Sequence, residues 1–81
     1  MRRAEHALAG VPGVLSVRGV RMRWVGDALR ADAELEIDAS TSLSDAHRIA
    51  RDGERALTGA LPQLTEAVMH TYVHPGPSAA R

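Results

Sequence analysis

The chain of 81 residues has no cysteine, no phenylalanine and no lysine, and it has only one tryptophan and one tyrosine. Without cysteine it has no disulfide and no thiolate ligand for a metal ion. Its core must be built from Val, Leu, Ile, Met and Ala, and a core of this size is only marginally stable. Self-association is one way for such a chain to bury more apolar surface.

The chain also lacks net charge and long apolar runs. Ten basic residues, all of them Arg, balance ten acidic ones. Because phosphate binding needs a net basic surface, nucleic acid is excluded as the main partner, although a local patch of Arg side chains is possible. No apolar run approaches the roughly 20 residues that span a bilayer, and the N-terminus has no apolar signal-peptide core. We therefore expect a single cytoplasmic domain.

Hydrophobic periodicity predicts two helices and three strands in the order α-β-β-α-β. They cover residues 2–9, 14–24, 29–38, 42–61 and 66–73. The second strand alternates strictly between apolar and charged residues, which is typical of a sheet with one buried face. Ser42, with Asp45 three residues later, is typical of a helix start. One face of the first strand is predicted to carry Val14, Ser16, Val20, Met22 and Trp24. The buried stripe of the second helix is predicted to consist of Leu43, Ala46, Ala50, Gly53, Leu57 and Ala60.

This order predicts an α+β fold of ferredoxin-like type. A hairpin turn at residues 26–27 followed by a helical crossover to a third strand forms a split β-α-β unit, with two helices on one face of a three-stranded sheet. A two-residue turn would place Arg21 opposite Asp32 and Arg23 opposite Arg30. We expect the domain to cover residues 1–75, and the Gly, Pro, Ser and Ala residues of 76–81 to form a disordered tail.

The histidines are the first candidates for chemistry. His47 lies in the first turns of its helix, where the dipole disfavours the imidazolium and so favours the neutral form that binds metal. The alternative is a half-buried histidine bonded to the backbone. His70 and His74 share one face of the last strand, but at about 3.3 Å per residue they lie roughly 13 Å apart. They cannot ligate one ion unless the strand bends before Pro75.

The second strand carries an acidic stripe of Asp32, Glu34, Glu36 and Asp38. One interpretation is a solvated sheet face, partly neutralised across the hairpin. The other is that Glu34 or Asp32 supplies an oxygen ligand, since mixed His and carboxylate ligation suits zinc and also manganese or iron. The sequence shows no nucleophile paired with a base, no Gly-rich phosphate loop and no paired carboxylates in a cleft, so we do not expect an enzyme.

Taken together, five segments resemble the cytoplasmic C-terminal domain of the cation diffusion facilitator (cation efflux) transporters. Residues 11–14 and 20–23 are similar to the family's "PGV … lRxR" opening, and Glu36-Ile37-Asp38 to the end of its second strand. Residues 42–50 are similar to its "SLxeAHxIa" helix start, and residues 68–75 to its closing "vHvxP" strand. The resemblance extends over about residues 3–75.

The resemblance implies a ferredoxin-like αββαβ fold and a V-shaped homodimer below the membrane. In this family the domain binds Zn²⁺ or a related cation, which tightens the dimer and favours activity of the transmembrane part. Family ligand positions match His47 and His70, and His74 falls near a carboxylate position that it would replace. Zinc is then the expected cation, with manganese or iron as alternatives, and the transmembrane domain of a parent transporter is the expected partner.

Two positions depart from the family pattern. A first-strand position that is His in some members is Arg18, and a second-strand position that is often His is Glu34. The six membrane helices of the family are also missing, so the chain is either an excised domain or a stand-alone copy. Two other functions therefore stay open, namely a structural dimerisation domain with a degenerate metal site and a regulatory module that binds a small organic ligand.

Overall fold

In the computed structural model, which describes residues 2–73, two helices lie on one face of a three-stranded sheet. The elements are α1 (Arg2–Ala9), β1 (Val14–Val25), β2 (Ala28–Ile37), α2 (Leu43–Ala60) and β3 (Leu64–Val73). The strand order is β1-β2-β3, with β1 antiparallel and β3 parallel to β2. The parallel pair needs the crossover that α2 provides. The predicted α+β, ferredoxin-like αββαβ fold is confirmed.

The core lies between the helices and the inner face of the sheet. Residues of β2 alternate between buried and half-buried along the whole strand, as the sequence predicts. Because phenylalanine is absent, the largest fully buried side chains are aliphatic: Leu8, Leu35, Ile49 and Leu57. These residues join both helices to the central strand in a single cluster. Among residues 2–73 no helix lies over the opposite face of the sheet, which carries the charged residues of β2.

The hairpin has the predicted register. Arg21 pairs with Asp32 and Arg23 pairs with Arg30. The turn uses Gly26 at φ +64°, a left-handed conformation that glycine adopts without a steric penalty.

The predicted alternation of β1 is wrong in its first half. The register shifts between Val14 and Ser16, and again between Val17 and Gly19. Ser16 therefore lies on the outer face, where its hydroxyl donates a hydrogen bond of 2.6 Å to Oε1 of Glu36. Extra residues of this kind break the two-residue period of a strand. At the other end of β1, Trp24 is 64% exposed.

The predicted stripe of α2 needs one correction. Leu43 is the first helical residue and is 77% exposed, whereas Ile49 is 2% exposed and belongs to the core. Helical periodicity alone does not show where a helix first meets the sheet. The strand limits also differ from prediction by one or two residues, since β2 ends before Asp38 and β3 begins at Leu64.

The start of α2 is capped as predicted. Ser42 has extended backbone angles, and its hydroxyl accepts a hydrogen bond of 3.1 Å from the backbone N–H of Asp45. We expect Ser42→Ala to lower the free energy of unfolding by about 1 kcal/mol, because a helical N–H loses its acceptor. Urea unfolding at constant protein concentration measures the change. Ser42→Asp, which keeps an acceptor oxygen, should retain most of the stability, and an equal loss in both variants would contradict the capping role.

Candidate metal centre

The outer face of the sheet carries a concavity where its three strands run side by side. It has a volume of about 360 Å³, and its lining residues are Gly19, Val20, Arg21, Asp32, Glu34, His70 and Tyr72. Within the part of the chain that the structure describes, it brings together three of the predicted ligands.

Strand register explains this convergence. β2 and β3 are parallel neighbours, and Glu34 pairs with His70. Side chains that are paired or two residues apart on one strand point to the same face. Asp32 therefore lies beside His70, and Nε2 of His70 is 3.7 Å from Oδ1 of Asp32. Each of these two side chains is about half exposed, so water and ions reach them freely.

The space above Glu34 is open because the neighbouring residue on β1 is a glycine. Gly19 is its register partner and offers no side chain to cover it. A Cβ atom placed on Gly19 would have no atom within 4 Å. The concavity is thus a gap in a row of side chains rather than a cleft between elements.

The donor set has the composition of a divalent-cation site. One imidazole and two carboxylates offer nitrogen and oxygen ligands of the kind that zinc, manganese and iron accept. Across residues 2–73, however, no three His, Asp or Glu side chains are close enough together to enclose an ion. Arg21, opposite Asp32, adds a positive charge to the same wall. The chain therefore presents donors on an open surface.

His47 lies outside this concavity. It is exposed on α2, the helix that packs against the opposite face of the sheet. The alternative of a half-buried histidine is wrong, and the His47 side chain makes no hydrogen bond with the described residues. Within the chain, His47 and His70 do not line the same concavity. His74 lies outside the described residues.

Sequence reasoning missed one contact at this site. The guanidinium carbon of Arg18 lies 4.7 Å from the centre of the Tyr72 ring, within cation–π range. The shared face of His70 and Tyr72 was visible in the sequence, but the contact with Arg18 was not. Trp24, the other aromatic residue, lies at the hairpin end and does not line the concavity.

Three comparisons with known proteins each find related sequences or structures. Residues 1–72 match the family described as "Cation efflux protein, cytoplasmic domain". The chain is 56% identical over 69 residues to the "Probable cation efflux system protein Rv2025c" of Mycobacterium tuberculosis strain H37Rv, and equally to its counterpart MT2084 in strain CDC 1551. These alignments cover 85% of this chain but 21% of each relative. The chain thus spans about a fifth of the length of these relatives.

Solved structures show the same similarity. A structure of MamM CTD superposes with a TM-score of 0.83 at 26% sequence identity, covering 90% of this chain and 92% of that one. A nickel form of a MamM CTD variant matches with the same score, identity and coverage. No helix among the described residues is long and apolar enough to cross a membrane.

Proposed function

Because the chain belongs to the family of cytoplasmic domains of cation efflux proteins, we propose that it binds a divalent cation and dimerises to control transport by a transmembrane domain. The observation that carries the metal-binding part is the convergence of Asp32, Glu34 and His70 on one open concavity. In this proposal the domain covers residues 1–75, lies at the cytoplasmic face of the membrane and catalyses no reaction.

Zinc is the cation that we propose first, with manganese or iron as alternatives. A borderline ion such as Zn²⁺ accepts one imidazole and two carboxylates, whereas a set of oxygen atoms alone would favour Mg²⁺ or Ca²⁺. The nickel form of the MamM CTD variant, a structural relative, is consistent with cations of this group.

The homodimer would complete the coordination. One protomer presents its donors on an exposed face, so further ligands must come from water or from a second copy of the chain. His47 and His74 are the remaining candidates. Exposed apolar side chains favour self-association, because Leu15, Leu43 and Val73 are 53–77% exposed at the end of the sheet where β2 and β3 finish.

The mechanism would be linkage between metal binding and dimer geometry. A cation that binds one arrangement of the two protomers more tightly shifts the population towards it by that difference in affinity. Asp32, Glu34 and His70 would hold the cation, while the aliphatic core keeps the three strands, and so the three side chains, in register.

Calorimetric titration of the metal-free chain with Zn²⁺ and with Mn²⁺ tests the proposal. We expect saturable binding that His70→Ala weakens by about tenfold or more, since even indirect partners of metal ligands can contribute that much. His6→Ala, an exposed histidine on α1, is the matched control and should bind like the wild type. His47→Ala in the same series tests whether the helix histidine joins the site.

The alternative is a structural dimerisation domain whose metal site has degenerated. The observation that favours it is positive charge at the site, from Arg18 over Tyr72 and Arg21 opposite Asp32. It predicts no heat on titration and a dimer whose sedimentation is unchanged by the two cations. Binding that is lost in His70→Ala would contradict this alternative.

A further inference from the structure

Two side chains from the outer strands of the sheet, Arg18 and Tyr72, meet across the central strand. Arg18 belongs to β1 and Tyr72 to β3, and β2 lies between these strands. The guanidinium carbon of Arg18 lies 4.7 Å from the centre of the Tyr72 ring, so the two side chains together cross β2. The register places Glu34 and Glu36 on that part of β2, as partners of Gly19 and Tyr72 respectively. A positive charge of the protein itself therefore lies beside the proposed cation site.

The irregular backbone of β1 permits this crossing. Arg18 is the extra residue at the register shift between Val17 and Gly19. A bulge of this kind redirects a side chain that a regular strand would hold to its own row. The next residue, Gly19, contributes no side chain that would block the path.

The contact is suited to a reversible role. Arg18 and Tyr72 are both exposed, and cation–π contacts at exposed sites are weak. Among residues 2–73, Arg18 forms no salt bridge with Asp32 or Glu34, the two carboxylates that line the concavity. A dication arriving at Glu34 and His70 would repel the guanidinium directly.

We propose that Arg18 determines the cation affinity of this concavity. Held over the Tyr72 ring, it acts as a resident positive charge that opposes binding of a divalent cation at Glu34 and His70, and it leaves the ring when the cation binds. The inference rests on the proposed function. Arg18 would then raise the free cation concentration at which the domain responds, because the cation must displace the side chain before it binds.

Arg18→Gln removes this charge and keeps a polar side chain. Measured by calorimetry with Zn²⁺, the variant should bind about two- to fivefold more tightly, because the wild type gives up an exposed cation–π contact when Arg18 moves away from the ring. The gain should shrink in high salt, because the charge is exposed. Arg23→Gln is the matched control on the same strand, about 13 Å beyond Gly19, where screening should leave the affinity nearly unchanged.

Nuclear magnetic resonance reports on the contact itself. In the metal-free wild type, the side-chain protons of Arg18 should show a ring-current shift that is absent in Tyr72→Leu. Saturation with Zn²⁺ should abolish this shift. A structural role for Arg18 would leave it unchanged on titration.

The outcomes separate the inference from the proposed function. If the wild type binds Zn²⁺ through His70 but Arg18→Gln binds no more tightly than Arg23→Gln, the inference is wrong and the proposed function stands. If Arg18→Gln binds and the wild type does not, the inference is supported in its strongest form. If neither binds, both are overturned.

Discussion

Replacing Leu35 by alanine is expected to lower the free energy of unfolding by about 2–5 kcal/mol. Leu35 is 0% exposed and lies on the central strand, where it pairs with Val17 on one side and Thr71 on the other. Its Cδ1 atom also approaches Gly53 of α2, at 3.5 Å from the position a Cβ atom would take there. Truncation would therefore leave a cavity where both neighbouring strands and the crossover helix meet.

The loss should be large relative to the total stability. Small domains are stable by only about 5–15 kcal/mol, and this core has no aromatic residue that could move into the space. Chemical denaturation at fixed protein concentration measures the change, since dimerisation would make the apparent stability depend on concentration.

Val25→Ala provides the control for this prediction. It truncates an aliphatic side chain of β1 that is 48% exposed at the hairpin end, away from the apolar side chains proposed to favour dimerisation. We expect a change within about 0.5 kcal/mol, as for surface substitutions in general. Equal losses in the two variants would contradict the assignment of Leu35 to the centre of the core.

The second large effect is expected at Gly13. This residue has φ +99°, where a side chain is strained, and a Cβ atom there would lie 2.6 Å from Cδ1 and 2.9 Å from Cγ1 of Ile49. The backbone strain alone costs about 1–3 kcal/mol, and the collision with a buried side chain adds to it. Gly13→Ala should therefore destabilise the domain strongly in thermal or urea unfolding.

Two comparisons separate strain from collision at Gly13. Gly26→Ala also places a side chain at positive φ, but with no atom within 4 Å, so only the backbone cost applies and the loss should be smaller. Ile49→Val removes the nearest atom, so Gly13→Ala should cost less in that background than in the wild type. Identical costs in both backgrounds would rule out the collision with Ile49.

The proposed metal site was partly visible in the sequence. The alternation of β2 placed Asp32 and Glu34 on one face, and the period of the last strand put His70 on a single face with Tyr72. Which faces meet depends on β3 being the parallel neighbour of β2, with Glu34 opposite His70. The sequence contains the pattern of each strand, whereas pairing between residues 36 positions apart is decided by packing of the crossover helix.

His47 is a second case in which the sequence pattern does not determine the tertiary position of a side chain. Its position on the helix was predicted correctly, yet periodicity alone placed it at the border of the buried stripe. The structure leaves it exposed on a helix against the opposite face from His70. A helical wheel orders residues around an axis, but it does not state how the helix is rotated against a sheet.

By itself, the sequence determined the features that depend on neighbouring residues. These are the absence of disulfides, the alternation of β2, the cap at Ser42, the hairpin register and the order of elements, which together specify the ferredoxin-like fold. Only the tertiary structure decided the bulges of β1, the burial of Ile49 in place of Leu43, and the approach of Arg18 to Tyr72 across β2. The physical reason is that local conformational preference extends over a few residues, whereas these three features arise from contacts between strands and helices far apart in the chain.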